Sequence, residues 1–137
     1  MKYSNSNSNS NRLVTIDLED VQLQGNLILP SRDKGIVIFA HVSGSSRLSP
    51  RNNYVASVLH EIGLGTLLFD LLTENEDRVY ARRFDIELLT NRLLGVTAWL
   101  ENYLKTPSSL GYFGSSTGSA AALQASAVSN KIKAIVS

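Results

Sequence analysis

The sequence contains no cysteine, no excess of basic residues and no long hydrophobic run. Without cysteine the chain cannot form a disulfide, a thiolate metal site or a cysteine nucleophile. Thirteen Lys and Arg residues against twelve Asp and Glu residues give a net charge of +1. This balance argues against nucleic acid or an anionic membrane as a partner, because both normally require a clustered basic excess. The apolar runs are far shorter than the ~20 residues of a membrane span, and one Lys followed by polar residues at the N-terminus does not make a signal peptide. We therefore expect a cytoplasmic protein.

The residues that are present suffice for one folded domain. The chain has 137 residues, of which 43% are hydrophobic, and a domain usually needs about 100–200 residues. Residues 4–11 alternate serine and asparagine, whose side chains compete with the backbone for hydrogen bonds and bury little apolar surface. We predict a disordered Ser/Asn-rich tail over residues 1–12, with an interaction motif as the alternative, and a domain over residues 13–137.

The hydrophobic pattern predicts two kinds of strand. Apolar residues alternate over residues 13–18 and again over residues 21–29, which is typical of an antiparallel hairpin. The later runs are continuously apolar, as in parallel strands that are buried on both faces. These runs cover residues 35–40, 64–71, 110–113 and 132–136.

Three helices are predicted between the later strands. The first follows Ser49-Pro50, an N-cap with proline at the first helical position. The second begins near Asp85, and the third runs from about Ser116 to Ser129. The first helix has an apolar stripe of Tyr54, Val55, Val58, Leu59 and Ile62, and the second has one of Leu89, Leu93, Val96 and Leu100. A hairpin followed by alternating strands and helices predicts an α/β fold, a three-layer sandwich around a mainly parallel sheet.

One segment carries a pattern that is typical of catalysis, Gly114-Ser115-Ser116-Thr117-Gly118. It fits G-x-S-x-G and lies directly after a predicted buried strand and before a predicted helix. Such a turn lifts the serine hydroxyl to a helix N-terminus, where free N–H groups favour a developing oxyanion. The alternative is a loop of small residues that packs a helix closely against the sheet.

Residues 35–137 resemble the α/β-hydrolase superfamily, in particular its dienelactone-hydrolase-like branch. The resemblance rests on four stretches, GIVIFAHVSGSSRLSPRNNYVA, GLGTLLFDLLT, RFDIELLTNRLLGVTAWL and GYFGSSTGSAAAL. It implies the third to sixth strands of that fold, with the hairpin as the first two. The implied activity is hydrolysis of an ester, lactone or similar acyl bond in a small-molecule substrate.

The same resemblance implies roles for three residues. Ser116 takes the place of the nucleophile, and the backbone N–H groups of Thr117 and Val42 take the two oxyanion-hole positions. Val42 departs from the glycine that the family usually has after His41. Dienelactone hydrolase proper uses a cysteine nucleophile, but this chain has no cysteine. The resemblance therefore implies a serine hydrolase, with no cofactor and no metal.

The acid and the base of the family are expected on later strands, in the order nucleophile, acid, histidine. This sequence stops at Ser137, so we expect a fold truncated after about the sixth strand and inactive alone, because a serine without a base is a poor nucleophile. His41 matches a structural histidine of the family rather than the base, with a substitute base as the alternative. His60 is expected to be a surface or packing residue. Asp70, at a strand end, is expected to cap or bond the following loop rather than to act in catalysis.

Other interpretations remain open at this point. The Ser-Ser-Thr-Gly-Ser stretch at residues 115–119 also resembles the phosphate cradle that flavodoxins use for FMN, although flavodoxins place it after their first strand. A non-catalytic, truncated hydrolase-like domain is the third possibility. Residues 74–83 are interpreted as a solvated connection, with a lid as the alternative. The strand at residues 131–136 is expected to form an exposed edge, through which the chain could self-associate.

Overall fold

A computed structural model describes residues 9–30, 34–41 and 46–136. Its order of elements is the predicted one, with an initial hairpin followed by alternating strands and helices. The strands are β1 (Asn9–Asp17), β2 (Gln22–Pro30), β3 (Ile36–Ala40), β4 (Gly65–Phe69), β5 (Leu110–Gly114) and β6 (Ile132–Val136). The helices are α1 (Pro50–Glu61), α2 (Glu74–Asp77), α3 (Ile86–Tyr103) and α4 (Thr117–Val128), with 3-10 turns at Ser46–Leu48 and Tyr80–Phe84.

The six strands form one mixed sheet in the order β1-β2-β4-β3-β5-β6. β1 pairs with β2 and β2 with β4 in antiparallel fashion. β3 lies between β4 and β5, and β6 follows β5, all four parallel. The predicted hairpin and mainly parallel sheet are confirmed. The ends of β3 and β5 meet in register at Ala40 and Gly114, so the segments that leave these two strands start side by side.

Alternating residues of the central strands face two different apolar layers. Ile36 and Ile38 of β3 join the larger core with α3 and α4, whereas Phe39 packs with Leu68 of β4 and Ala56 of α1. Helices therefore cover both faces of the sheet, which confirms the three-layer architecture. The apolar stripe predicted for α3 lies in the larger core, and each of its four residues is fully buried.

The boundary predicted for the N-terminal tail is wrong for residues 9–12. The structure places them in β1, where Asn9 pairs with Pro30 and Arg12 with Leu27. The cause is the nine-residue partner strand, whose backbone groups extend the ladder into a stretch with polar side chains. Strand pairing satisfies backbone donors and acceptors whatever the side chains are. Residues 1–8 lie outside the described part of the chain.

The buried face of α1 also differs from the predicted stripe. Val55 and Leu59 of the predicted stripe are partly buried and pack against the core, as expected. Asn52 and Ala56 are the buried residues of the helix, whereas Tyr54 is 70% exposed and Val58 and Ile62 are exposed as well. The small Ala56 side chain lets the helix lie close to Phe39 and Leu68. The predicted helix start is confirmed, because Ser49 accepts a hydrogen bond from the N–H of Asn52 and proline follows it.

The last two elements have contrasting surroundings. α4 buries only small residues, Gly118, Ala121, Ala122 and Ala125, which allows close packing on α3 and β5. β6 forms an edge of the sheet, and Val136 at its end is 63% exposed. Among the described residues, no helix combines the length and the apolar character that crossing a membrane requires.

Candidate active site

Ser116 has a backbone conformation that L-amino acids rarely adopt. Its φ is 55° and its ψ is −133°, and it is the only non-glycine residue with a positive φ in the described ranges. Such a conformation costs about 1–3 kcal/mol and persists only where the surrounding structure enforces it. The side chain is exposed between the end of β5 and the start of α4. The predicted strand-to-helix turn, with Ser116 at the N-terminus of a helix, is confirmed.

The two flanking glycines are required by close packing of backbone on backbone. A Cβ atom on Gly118 would overlap the carbonyl oxygen of Ala40, and one on Gly114 would lie 2.8 Å from the Cα atom of Ser119. The N–H of Ser115 donates to the same Ala40 oxygen at 3.3 Å. The serine turn is thus pressed against the end of β3, and only glycine at these two positions leaves the space.

Most backbone groups around the start of α4 are hydrogen-bonded, but the N–H of Thr117 is not. The N–H of Gly118 donates to the Ser115 carbonyl at 2.9 Å, and that of Ser119 donates to the Ser116 carbonyl at 3.0 Å. The N–H of Thr117 forms no hydrogen bond within the described part of the chain. The Ser116 side chain, although it stands at the N-cap position, makes no capping hydrogen bond. Among the described residues, neither the Ser116 hydroxyl nor the Thr117 N–H has a hydrogen-bond partner at this helix N-terminus, where the dipole favours negative charge.

The second oxyanion donor predicted from the sequence, Val42, lies outside the described residues. His41 directly precedes it and is half-buried at the end of β3. Burial lowers the pKa of the His41 imidazole, and the nearby Arg51 guanidinium lowers it further. Both effects favour the neutral imidazole, the form that can accept a proton.

His60 lies away from this edge of the sheet. Its Nε2 atom lies 2.8 Å from the hydroxyl of Thr66, which is fully buried in β4. Partial burial lowers the pKa of the His60 imidazole. The expectation that His60 is a surface or packing residue, outside the serine turn, agrees with this contact.

Asp70 does bond a loop, but not the one that follows it. Its Oδ1 atom accepts a hydrogen bond of 3.0 Å from the backbone N–H of Arg47, and the Arg47 Nε atom lies 3.3 Å from Oδ2, an ion-pair contact rather than a hydrogen bond. Arg47 belongs to the segment that connects β3 with α1. The prediction that Asp70 bonds the loop that follows it is therefore wrong. Its partner, Arg47, lies 23 residues earlier in the chain.

The connection between β4 and α3 is more ordered than the solvated loop that the sequence predicts. Thr73 and Glu76 form a capping box at the start of α2. The guanidinium of Arg92, whose side chain is only 4% exposed, binds both Glu76 oxygens at 2.9 Å and the Leu71 carbonyl. The T-x-x-E spacing of Thr73 and Glu76 signals the capping box in the sequence, but no local pattern indicates that Arg92 binds Glu76. Within the described ranges no three His, Asp or Glu side chains cluster closely enough to hold a metal ion.

Solved structures of hydrolases share this architecture. A dienelactone hydrolase from Anabaena variabilis is 47% identical and superposes with a TM-score of 0.83 over 93% of this chain and 62% of its own. The chain has a dienelactone-hydrolase-like α/β-hydrolase fold. At lower identity the fold recurs in Est1E from Butyrivibrio proteoclasticus (20%, TM-score 0.73, 90% of this chain and 48% of that one) and in a Pyrococcus furiosus esterase (21%, TM-score 0.72, 98% and 51%).

The relatives found by sequence have a different name. Two Mycobacterium tuberculosis proteins, from strains CDC 1551 and H37Rv, are 54% identical over 119 residues and are named "Putative phosphoribosyl transferase". The match covers 85% of this chain and 27% of each of those proteins. No family model matches the chain. The chain thus spans about a quarter of the curated relatives and less than two thirds of the Anabaena hydrolase.

Proposed function

We propose that this chain is the nucleophile-bearing part of a serine hydrolase that cleaves ester, lactone or similar acyl bonds in small molecules. The observation that carries the proposal is the conformation of Ser116, strained, exposed and placed at the N-terminus of α4. The backbone strain and the missing capping hydrogen bond both cost stability, so the folding of α4 does not explain them. Together they form the arrangement that a nucleophile on a strand-to-helix turn requires.

The first chemical step follows from this geometry. The Ser116 hydroxyl oxygen attacks the acyl carbon, the carbonyl π bond breaks, and the carbonyl oxygen becomes an oxyanion. The N–H of Thr117 stabilises this charge, together with the dipole of α4. Collapse of the tetrahedral intermediate releases the leaving group and leaves an acyl-serine, which water then hydrolyses.

A general base must take the Ser116 proton and return it to the leaving group. In this proposal the base and its acid partner belong to the part of the fold that lies outside these 137 residues. The coverage of 62% of the Anabaena hydrolase leaves room for them. Within this chain, His41 could substitute for the missing base. It directly follows β3, whose last residue, Ala40, pairs with Gly114 at the end of β5.

The name of the Mycobacterium relatives provides a second candidate, transfer of a phosphoribosyl group. The 119 matched residues are about a quarter of those proteins and fall on the hydrolase fold described above. We assign any phosphoribosyl transferase activity to the remaining three quarters of the Mycobacterium proteins, which this chain does not match. Titration of this chain with phosphoribosyl diphosphate tests the assignment, and saturable binding would contradict it.

The FMN-binding alternative has less support, because the serine turn follows β5 rather than the first strand of the sheet. The non-catalytic alternative is decided by activity. The test uses a polypeptide that includes this chain and the rest of the proposed hydrolase fold, called the full-length polypeptide below. We expect it to hydrolyse a p-nitrophenyl ester, Ser116→Ala to abolish this turnover, and the adjacent Ser115→Ala to keep most of it. A full-length polypeptide with no turnover that depends on Ser116 would favour the non-catalytic interpretation.

A further inference from the structure

The face of the sheet on which α1 lies is covered only in part. Ala56 of α1 packs with Phe39 of β3 and Leu68 of β4. The same face continues over β5 and β6, because Phe39 pairs with Phe113 and Phe113 pairs with Val136 in the ladder. Phe113 is half-buried and Val136 is exposed. Within the described ranges α1 is the only helix in this apolar layer, so the part of the layer over β5 and β6 is open.

α1 turns an apolar flank toward this open part. Val58 and Ile62 lie four residues apart on one side of the helix, and both are exposed. His60 is two residues from each of them and points to nearly the opposite side, since each residue turns the helix by about 100°. That side faces β4, because the His60 Nε2 atom lies 2.8 Å from the Thr66 hydroxyl. The strand order is β4-β3-β5-β6, so the flank with Val58 and Ile62 faces β5 and β6.

The helix flank and the strand surface together form one apolar groove. We define this open groove by six residues, two on the wall that α1 supplies and four on the floor that β5 and β6 supply: Val58, Ile62, Gly111, Phe113, Ala134 and Val136. Gly111 and Ala134 pair side by side on the floor. Because neither has a large side chain, another element can approach the sheet closely at this point.

The opposite edge of the same face is polar. Leu13 of β1 lies on this face, since the ladder joins Leu13 to Asn26 and Asn26 to Leu68. Leu13 is 81% exposed, but its neighbours on the same face of β1 are Asn11 and Thr15. Single exposed apolar residues are normal on a protein surface, whereas a continuous apolar patch marks a binding surface. The open groove is therefore the part of this face that requires a cover.

We propose that the open groove is the docking site of an amphipathic helix from the rest of the hydrolase fold, in the same polypeptide. A helix fits because the groove lies on the face of the sheet, where an added segment must satisfy its own backbone hydrogen bonds. The Anabaena hydrolase has more than a third of its chain outside the match, which is enough for such a helix. The inference rests on the proposal that the rest of the fold lies outside these 137 residues, and not on the chemistry of Ser116.

A second copy of this chain is a poorer occupant. Two copies related by a two-fold axis place the same surface on both sides of their interface. The open groove would then face another groove, and two concave surfaces do not fill each other. The amphipathic helix, in contrast, presents a convex apolar face to the wall and the floor at once.

The test uses introduced thiols, since the chain has no cysteine of its own. Val58→Cys and Ile62→Cys report on the groove, and Leu13→Cys is the matched control on the same face. Each variant is prepared in the 137-residue chain and in the full-length polypeptide, and its alkylation by iodoacetamide is followed by peptide mass spectrometry. We expect the full-length polypeptide to slow alkylation at positions 58 and 62 by at least about tenfold, because thiol reactivity depends on access. Position 13 should react equally fast in both.

Each other outcome contradicts a specific part of the proposal. Equal rates in the two polypeptides at positions 58 and 62 would overturn the docking site. Equal slowing at position 13 would overturn the distinction between the two edges of the face. Slowing that disappears on dilution would assign the groove to a second copy. Ser116→Ala should leave the protection unchanged, so a full-length polypeptide without turnover that depends on Ser116 would refute the hydrolase activity and leave the docking site intact.

Discussion

The backbone of Gly118 lies against the carbonyl oxygen of Ala40, with no space for a side chain between them. This contact joins the first turn of α4 to the end of β3 and fixes the serine turn relative to the neighbouring strand. Ser116 is held in its strained conformation between this contact and the end of β5. The exposed position and the backbone conformation of Ser116 therefore depend on a glycine two residues further along the chain.

Gly118→Ala should destabilise the fold, because its methyl group would overlap a backbone atom that has no room to move. We expect a loss of at least about 1–3 kcal/mol in the free energy of unfolding, measured by urea denaturation. The control is Gly95→Ala in α3, where the added Cβ would meet the flexible tip of Leu18 at 3.3 Å. That variant should be neutral or more stable, since alanine is the better helix former. Equal effects at the two positions would contradict the packing argument.

Low pH should weaken the ion pair between Glu76 of α2 and Arg92 of α3. The hydrogen bonds from Arg92 lower the pKa of the Glu76 carboxyl to about 2, below its ordinary value of 4.5. The ionised form is therefore favoured by folding, so the stabilisation is fully present above about pH 4.5 and is lost as the pH falls towards 2. Glu76→Gln should be less stable than the wild type at pH 7, and the difference should shrink between pH 4.5 and pH 2. Urea denaturation over that range checks this, and a difference independent of pH would contradict it.

The 137-residue chain alone should hydrolyse p-nitrophenyl esters no faster than background. A serine hydroxyl without a general base is a weak nucleophile, and only the oxyanion donors remain to help. If turnover well above background were observed and disappeared in Ser116→Ala, a base would have to lie within this chain. His41→Ala would then be the first variant to measure.

The exposed edge at β6 should lead to self-association of the 137-residue chain. An edge strand presents unpaired backbone donors and acceptors, and Val136 adds exposed apolar surface that two lysines, Lys131 and Lys133, protect only weakly. Light scattering at micromolar concentration should show species larger than a monomer, and Val136→Lys should reduce them. A monodisperse monomer with a sharp cooperative melt would contradict self-association through β6.

Local pattern predicted much of this fold because the signals are local. The cap at Ser49 depends on residues within one turn and the stripe of α3 on residues within about three turns. The G-x-S-x-G spacing is likewise confined to five consecutive residues. The pairs Asp70–Arg47 and Glu76–Arg92 could not be read in this way, since they join residues 23 and 16 positions apart. Periodicity identifies which residues are apolar, but it does not say which charged residue meets which.

The start of β1 and the buried face of α1 escaped prediction for a related reason. Asn9 joins the sheet because Pro30 lies opposite it in the ladder, which its own side chain does not indicate. In α1, the small Ala56 faces the sheet while the larger Tyr54 remains in solvent. Close approach of a helix to a sheet favours a small residue over the most hydrophobic one, and a count of apolar side chains cannot detect that preference.

The central claim, that Ser116 is a nucleophile, is tested most directly by covalent labelling of the full-length polypeptide. A fluorophosphonate reacts with an activated serine, losing fluoride as the serine oxygen bonds to phosphorus, and peptide mass spectrometry locates the adduct. We predict a single adduct on Ser116, retained in Ser115→Ala and absent in Ser116→Ala. An adduct on another serine, or none on a folded full-length protein, would contradict the account.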